Sequence, residues 1–279
     1  MKGQIVKINS DLHFVSCDGK VYPCKCRGIF RKEHITPVVG DYVLFSVEKK
    51  LIEEILPRKC IFQRPKVANI DQAFIVTSLK YPDFSLNLLD KMLVLMELHN
   101  VESIICVTKE DLCDVGELKK FNALLSYYKE IGYRVVSNTD LETIKSLCKD
   151  KTSVFTGQTG SGKSTLLNKL NPELKLETND ISYSLGRGKH TTRIVELFEF
   201  CGGKLLDTPG FSSLDFKGVT NEKIKESFRE FKNYPCPYKD CSHTNENECR
   251  IKEEVLANNI MRSRYDNYLN FIGVDINES

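Results

Sequence analysis

Gly157-Gln158-Thr159-Gly160-Ser161-Gly162-Lys163-Ser164 is the stretch on which the reading of this chain turns. It fits the pattern GxxxxGK(S/T). In that pattern the backbone N–H groups of a glycine-rich turn converge on a nucleotide's β-phosphate, and the following helix adds the positive end of its dipole. Gly157 to Gly162 are then the cradle, and Lys163 reaches the β- and γ-phosphates. Ser164, followed by Thr165, offers a hydroxyl to Mg²⁺. The flanks agree: Ser153-Val154-Phe155-Thr156 reads as a buried strand, and Ser164 to Leu170 as a helix stopped by Asn171-Pro172. An ordinary glycine-rich loop has no need of a strand before it and a helix after it.

Further along, Asp207-Thr208-Pro209-Gly210 closes the apolar run Leu205-Leu206. Read as DxxG, it places Asp207 at a strand end to hold a magnesium water and lets the Gly210 N–H approach a γ-phosphate. Val195 to Phe200, Gly202-Gly203 and Lys204 to Leu206 read as the β-hairpin before it. Nothing after Gly210 resembles the guanine-reading NKxD. The nearest match lies upstream, Thr108-Lys109-Glu110-Asp111, at the end of the strand Ser103 to Val107. Asp111 can accept both the guanine N1–H and the exocyclic amine, and the Lys109 stem can cover the base. Thr108 departs from the usual Asn, which puts one bracing hydrogen bond in question. Ser137 and Asn138 end another strand and are the candidates for the base-lining loop. Taken alone, the four residues suit a solvated turn; the order of all three motifs describes a circularly permuted GTPase. An ATP-specific P-loop enzyme is the more distant alternative.

Between P-loop and DxxG lies Gly186-Arg187-Gly188-Lys189-His190-Thr191-Thr192-Arg193. Thr191 or Thr192 is expected to complete the Mg²⁺ shell from a loop ordered by nucleotide. Phe211 stands where related enzymes keep a water-orienting Gln, so slow intrinsic hydrolysis is expected, with help from another group or a partner. His190 reads equally as a polar catalytic group and as a basic loop residue that touches RNA or solvent.

Cys236-x4-Cys241-x-His243-x5-Cys249 forms a second constellation. Three thiolates and an imidazole make a closed tetrahedral set of the structural zinc type. The remaining eight of the 11 cysteines are scattered and read as packing residues of a reducing compartment, with Cys24 and Cys26 expected on opposite faces of a strand. No apolar run is long enough to span a membrane, and Met1 to Phe14 lacks a signal-peptide core, so a cytoplasmic location is expected. No dimer stripe appears, and a monomer is the default.

Net charge is +2, yet residues 1–66 hold 13 Lys/Arg against 7 Asp/Glu. A basic front module attached to an acidic remainder is expected to meet a polyanion. Its five β-like runs, Gly3 to Ile8, Leu12 to Ser16, Lys20 to Cys26, Tyr42 to Val47 and Leu51 to Leu56, suggest an OB-fold barrel. Lys25, Arg27, Arg31, Lys32 and His34 are candidates for phosphate contact, with Phe30 to stack on a base. From Ala68 the rhythm changes to strand–helix alternation, a six-stranded α/β sheet with Leu89, Met92, Leu93 and Met96 as a core helix stripe. A helix over Asn221 to Lys232, the zinc module and a last helix with Arg262, Arg264, Tyr265 and Tyr268 follow. The expected domains are 1–66, an OB-fold RNA-binding domain, 67–215, the permuted GTPase, and 216–279, a helical zinc-binding domain.

The order TKED, GQTGSGKST, GRGKHTT, DTPGF and then the cysteine–histidine cluster resembles the ribosome small-subunit-dependent GTPase A family over nearly the full length. The resemblance implies an OB-fold, a permuted GTPase core and a zinc domain. It also implies action late in maturation of the small (30S) ribosomal subunit, contact with 16S rRNA, and GTP hydrolysis stimulated by that subunit. It assigns Lys163 and Ser164 to phosphate and magnesium, Lys109 and Asp111 to guanine, Cys236, Cys241, His243 and Cys249 to zinc, and His190 to hydrolysis. Thr108, and Thr244 to Glu248 in place of a Pro-Gly-bearing run, depart from the family pattern. Two other functions are a nucleotide-switched rRNA-binding placeholder and a permuted GTPase of large-subunit assembly.

Overall fold

The computed structural model describes residues 1–28, 30, 35–63, 65–174, 195–207 and 215–274. Arg31, Lys32 and His34 of the expected RNA contacts lie outside them. Five strands, β1 (Lys2–Asn9), β2 (Leu12–Cys17), β3 (Lys20–Cys26), β4 (Tyr42–Ser46) and β5 (Leu51–Ile55), close on themselves. β1 pairs with β2, β2 with β3, β3 with β5, β5 with β4 and β4 with β1, and only β3–β5 is parallel. Alternate residues point inward and fill the barrel with Ile5, Val15, Cys24, Val43, Phe45 and Ile52. A register shift between Ile5 and Lys7 bends β1 so that it can serve several partners. Asp18 and Gly19, with φ of 49° and 73°, make the tight β2–β3 turn.

Two expectations are corrected here. Phe30 is 6 % exposed and packs in the barrel core, so it is not available to stack on a base. Cys24 and Cys26 lie on the same, inward face, because side chains two apart in a strand share a face.

A connector follows, the hairpin β6 (Ile61–Gln63) and β7 (Lys66–Ala68). Gly40 is obligatory beside it: at φ 94° an added Cβ would meet the Ala68 carbonyl oxygen at 1.9 Å. The α/β domain contains β8 (Gln72–Ser78), α1 (Leu86–Leu98), β9 (Glu102–Thr108), α2 (Val115–Glu130), β10 (Arg134–Ser137), α3 (Leu141–Cys148), β11 (Thr152–Thr156), α4 (Lys163–Leu170), β12 (Glu196–Phe200) and β13 (Gly203–Asp207). The strand order is β10-β9-β8-β11-β13-β12, parallel except for β12. Strands buried on both faces carry apolar residues in unbroken runs. Phe74, Val76, Ile104 and Cys106 face α3 and α4, whereas Ile75, Ile105 and Val107 face α1 and α2. The stripe Leu89, Met92, Leu93 and Met96 is core, as its spacing predicts.

β12 also pairs antiparallel with β1, Lys7 opposite Glu196, so barrel and α/β sheet form one eleven-stranded sheet. The C-terminal part opens with α5 (Asn221–Glu226), a 3-10 turn (Arg229–Asn233), the cysteine loop, α6 (Arg250–Leu256) and α7 (Arg262–Phe271). The continuous helix expected to Lys232 is broken. Ser227 Oγ donates to the Lys223 carbonyl at 2.8 Å and Phe228 turns extended (ψ 102°), which sends its ring into the local core. Among the described residues no helix is long and apolar enough to cross a membrane.

Candidate nucleotide site and metal centre

The P-loop joins the C-terminal end of β11 to the start of α4, where open α/β sheets place ligand sites. Gly157, at φ 146°, must lack a side chain, because a Cβ there would lie 2.0 Å from the Val76 carbonyl oxygen. Gly162, at φ 92°, precedes the first turn of α4. Gln158, Thr159 and Gly160 are exposed at the rim, and Ser161 is buried beneath them. Lys163 folds back over the turn, its Nζ donating to the carbonyls of Gly157 at 2.9 Å and Gln158 at 2.6 Å. Ser164 is half-buried and Thr165 exposed at the helix start.

The guanine-type motif sits against this loop although it lies about fifty residues earlier in sequence. Thr108 Oγ1 donates to the Ser161 carbonyl at 2.7 Å. A brace between the two motifs is therefore made by the threonine hydroxyl itself. Lys109, in the left-handed region at φ 60°, donates from Nζ to the Gly160 carbonyl at 2.8 Å and to the Tyr81 carbonyl. Asp111 is exposed and makes no hydrogen bond among the described residues. Glu110 has a supporting place: it accepts from Ser137 Oγ at 2.5 Å, and Asn138 N–H donates to the Val107 carbonyl at 2.8 Å. Thr108, Lys109, Glu110, Ser137 and Asn138 thus form one bonded shelf beside the P-loop. The backbone of Asp207 pairs with Glu196. Its side chain lies outside the described residues, as do Gly186 to Arg193 with His190, Thr191 and Thr192, and Thr208 to Phe211 with Gly210.

The cysteine loop brings its four groups together. One ligand atom from each of Cys236, Cys241, His243 and Cys249 lies within 4.8 Å of the others. Cys236 Sγ is 3.8 Å from Cys249 Sγ and 3.4 Å from His243 Nδ1, and Cys249 Sγ is 3.5 Å from the same nitrogen. Bonds of about 2.3 Å to sulfur and about 2.0 Å to nitrogen at tetrahedral angles space sulfurs about 3.8 Å apart and sulfur from nitrogen about 3.5 Å. The donor set therefore fits one tetrahedral metal ion. Burial pushes the Cys249 thiol up to about 12 and, with the Lys225 charge, pushes the His243 imidazole down to about 4. Thiols so placed become thiolates by binding a cation.

The segment Thr244 to Glu248 braces this loop from within. Glu246 accepts from Ser242 N–H and Oγ at 2.6 Å each and from Thr244 N–H at 2.8 Å. Burial would raise its carboxyl, yet these donors hold it down at about 2. Tyr265 and Tyr268 of α7 donate their hydroxyls to the His243 and Ser242 carbonyls at 2.7 and 2.6 Å.

One polar cluster escaped the sequence reading. Arg264, fully buried, donates to Glu230 at 2.7 and 3.0 Å and to Asp90 at 2.7 Å. Asp90 also accepts from Tyr128 OH at 2.6 Å and Asn267 Nδ2 at 2.6 Å. Asp90 stands in the apolar run of α1, and a lone acid at such a position is the signal that points to a buried partner.

Family models agree with the geometry. The RsgA GTPase model matches residues 55–217 and the RsgA N-terminal domain model residues 2–51. A curated relative, the small ribosomal subunit biogenesis GTPase RsgA of Streptococcus agalactiae serotype III, is 46 % identical over 277 residues, 98 % of this chain and 94 % of the relative. The protein of the same name from Enterococcus faecalis is 43 % identical over 280 residues, again 98 % and 94 %. Among solved structures, the crystal structure of YloQ, described as a circularly permuted GTPase, has 36 % identity and a TM-score of 0.84, covering 97 % of this chain and 93 % of that one. YjeQ from Thermotoga maritima has 34 % identity and the same TM-score, covering 97 % and 96 %. A P-loop braced to an upstream guanine-type motif, on a full-length match to such relatives, makes this chain a member of the RsgA GTPase family and a GTP-hydrolysing enzyme.

Proposed function

We propose that this GTPase acts in late maturation of the small ribosomal subunit, binds 16S rRNA and leaves after hydrolysis stimulated by that subunit. The observation that carries the proposal is the Thr108–Ser161 hydrogen bond, which joins guanine-type motif and P-loop into one site despite the permuted chain order. The names of the relatives supply the subunit. In this reading the backbone of Gly157 to Gly162 cradles the phosphates and Lys163 exchanges its P-loop carbonyls for β- and γ-phosphate oxygens. Asp111, exposed and unpaired among the described residues, accepts from the guanine edge, while the Lys109 stem covers the base and Glu110, Ser137 and Asn138 hold the shelf. Ser164 and Asp207 are the residues to hold Mg²⁺, which supplies neutralisation of the phosphate charge. Thr191 or Thr192 completes the shell, Gly210 senses the γ-phosphate, and His190 is the candidate to assist hydrolysis.

The metal of the cysteine–histidine set is read as a single structural zinc, since all four positions come from the protein. The reading divides the chain at 66/67 and 215/216, places RNA contact on the barrel through exposed Lys25 and Arg27, and takes the protein as a cytoplasmic monomer. GTP turnover measured alone, with purified small subunits and with large subunits, with ATP as control, is the test. Slow turnover raised many-fold by small subunits alone is expected. Stimulation by large subunits only would move the enzyme to the other assembly line, and no stimulation by either would remove the ribosomal assignment.

A further inference from the structure

Residues 79–85, between β8 and α1, run alongside both halves of the nucleotide site. Leu79 N–H donates to the Thr108 carbonyl at 3.1 Å. The Tyr81 carbonyl accepts from Lys109 Nζ, which also donates to the Gly160 carbonyl at 2.8 Å. A Cβ at Gly160 would lie 3.5 Å from Pro82 Cδ. Tyr81 is thus rooted where the guanine-type motif and the P-loop meet. We infer that Tyr81 is a ribose-covering residue, packing its ring on the sugar of a bound guanine nucleotide and slowing its release; the inference rests on the proposed placement of guanine at Lys109 and Asp111.

With the base on Lys109 and Asp111 and the phosphates on Gly157 to Gly162, the sugar that joins them has to cross the gap between Lys109 and Gly160. The Lys109–Gly160 hydrogen bond spans that gap, and Tyr81 shares its donor. A tyrosine suits the sugar: its ring face takes the C–H surface of the ribose, and its hydroxyl can bond the ribose hydroxyls.

The loop around it is tied down. Ser78 Oγ donates to the Pro82 carbonyl at 2.7 Å, and Lys80 pairs with Glu117 at 2.6 Å. Phe84 meets Phe121 edge-on at 5.5 Å, and Ser85 Oγ accepts from the Leu88 N–H at 3.3 Å. The Tyr81 ring, by contrast, is 73 % exposed, with no ring contact or hydroxyl partner among the described residues. A lone exposed tyrosine is ordinary. This one also holds a left-handed backbone, φ 47°, which bulky residues seldom adopt and which gathers at ligand clamps. A free ring on a fixed backbone gives up only its side-chain torsions when it closes over a ligand.

The test uses the full-length, metal-loaded protein and tritium-labelled GDP, whose ribose carries no reporter group. Tyr81→Ala is expected to bind GDP about fivefold more weakly, mostly through faster release, and Tyr81→Phe to stay within about twofold of the parent. An acyclic guanine diphosphate, with an open ether chain in place of the ribose, is the control. Tyr81→Ala and the parent protein should bind it alike, which a collapsed loop would not allow. Tyr81→Asn, suited to a left-handed backbone, repeats the comparison if the alanine variant lowers the thermal midpoint. Unchanged GDP release without the aromatic ring, or equal weakening for GDP and the acyclic analogue, overturns the inference. Asp111→Asn separates it from the placement of guanine, since an amide in place of the carboxylate should exchange guanine for xanthine nucleotides. If Asp111→Asn retains GDP affinity, the guanine placement falls and the ribose contact with it. If Asp111→Asn loses GDP while Tyr81→Ala keeps the parent's release rate, the role of Tyr81 alone is refuted.

Discussion

The GTPase domain is joined to its two neighbours by seams of opposite character. Toward the barrel the seam is a sheet edge: β12 pairs with β1, Lys7 bonds Glu196 at 2.8 Å, and Lys204 donates to Gln4 at 2.8 Å. The Lys7 and Glu196 side chains are 18 % and 33 % exposed, so water and salt reach the pair. Toward the C-terminal part the seam is an internal charge network, with Arg264, Asp90 and Glu230 at 0 %, 0 % and 1 %. α1 lies between sheet and C-terminal core, buried on more than one side, and Asp90 spans that gap. An exposed pair is cheap to part, while a buried one cannot open without stranding charge in a dry interior. The ion pair thus contributes little to the barrel seam, which rests on a shared apolar core of Val6, Val39, Leu197 and Leu206, whereas the buried charges hold the C-terminal seam.

Removing the metal should strike hardest at the C-terminal seam. A structural zinc, as proposed for this set, would carry about 10–16 kcal/mol of apparent binding free energy. Chelation, or Cys249→Ala, should release the ion and melt residues 236–249 together with the α7 contacts of Tyr265 and Tyr268. Hydrogen exchange should then rise through α7 and stay low in β1 and β12; equal loss of protection at both seams would break the comparison.

Arg264→Met comes next. It leaves Asp90 and Glu230 buried without their cation and should cost about 3–5 kcal/mol in denaturant unfolding. A loss under about 1 kcal/mol would mean that the network does not hold the seam.

Between the seams, Thr108→Val removes the hydroxyl that meets Ser161 with little change of shape. One buried neutral hydrogen bond of about 1–1.5 kcal/mol corresponds to about tenfold weaker guanine-nucleotide binding, and Thr108→Asn should restore it. Unchanged nucleotide affinity in the Val variant would remove the brace from the account of the site.

The smallest effect belongs to the barrel seam. Lys7→Glu should cost no more than about 1 kcal/mol and less at high salt, with Lys7→Glu/Glu196→Lys recovering it. A salt-insensitive loss of several kcal/mol would make the two seams alike.

The correspondence between sequence and structure is uneven for physical reasons. Barrel strands, sheet strands and core helices were legible wherever side chains repeat at the period of their backbone, as in Leu89, Met92, Leu93 and Met96. The helix from Asn221 was not, because its break at Ser227 depends on where Phe228 is buried. Phe30 was misread for the same reason: an aromatic residue among charges looks available until the barrel closes over it. Period two places Cys24 and Cys26 on one face of β3, the one turned toward the barrel core.

The order of motifs belongs to the sequence by itself. Glycines at Gly157 and Gly162, a lysine at Lys163 and four metal-type donors at fixed spacing are covalent facts, and local geometry limits what such groups can do. Tertiary structure alone decided which distant groups became neighbours: Thr108 under the P-loop, Ser137 on Glu110, β12 against β1, and Arg264 between Asp90 and Glu230. Those partnerships depend on burial and on closure over long stretches of chain, and neither is encoded in any one segment.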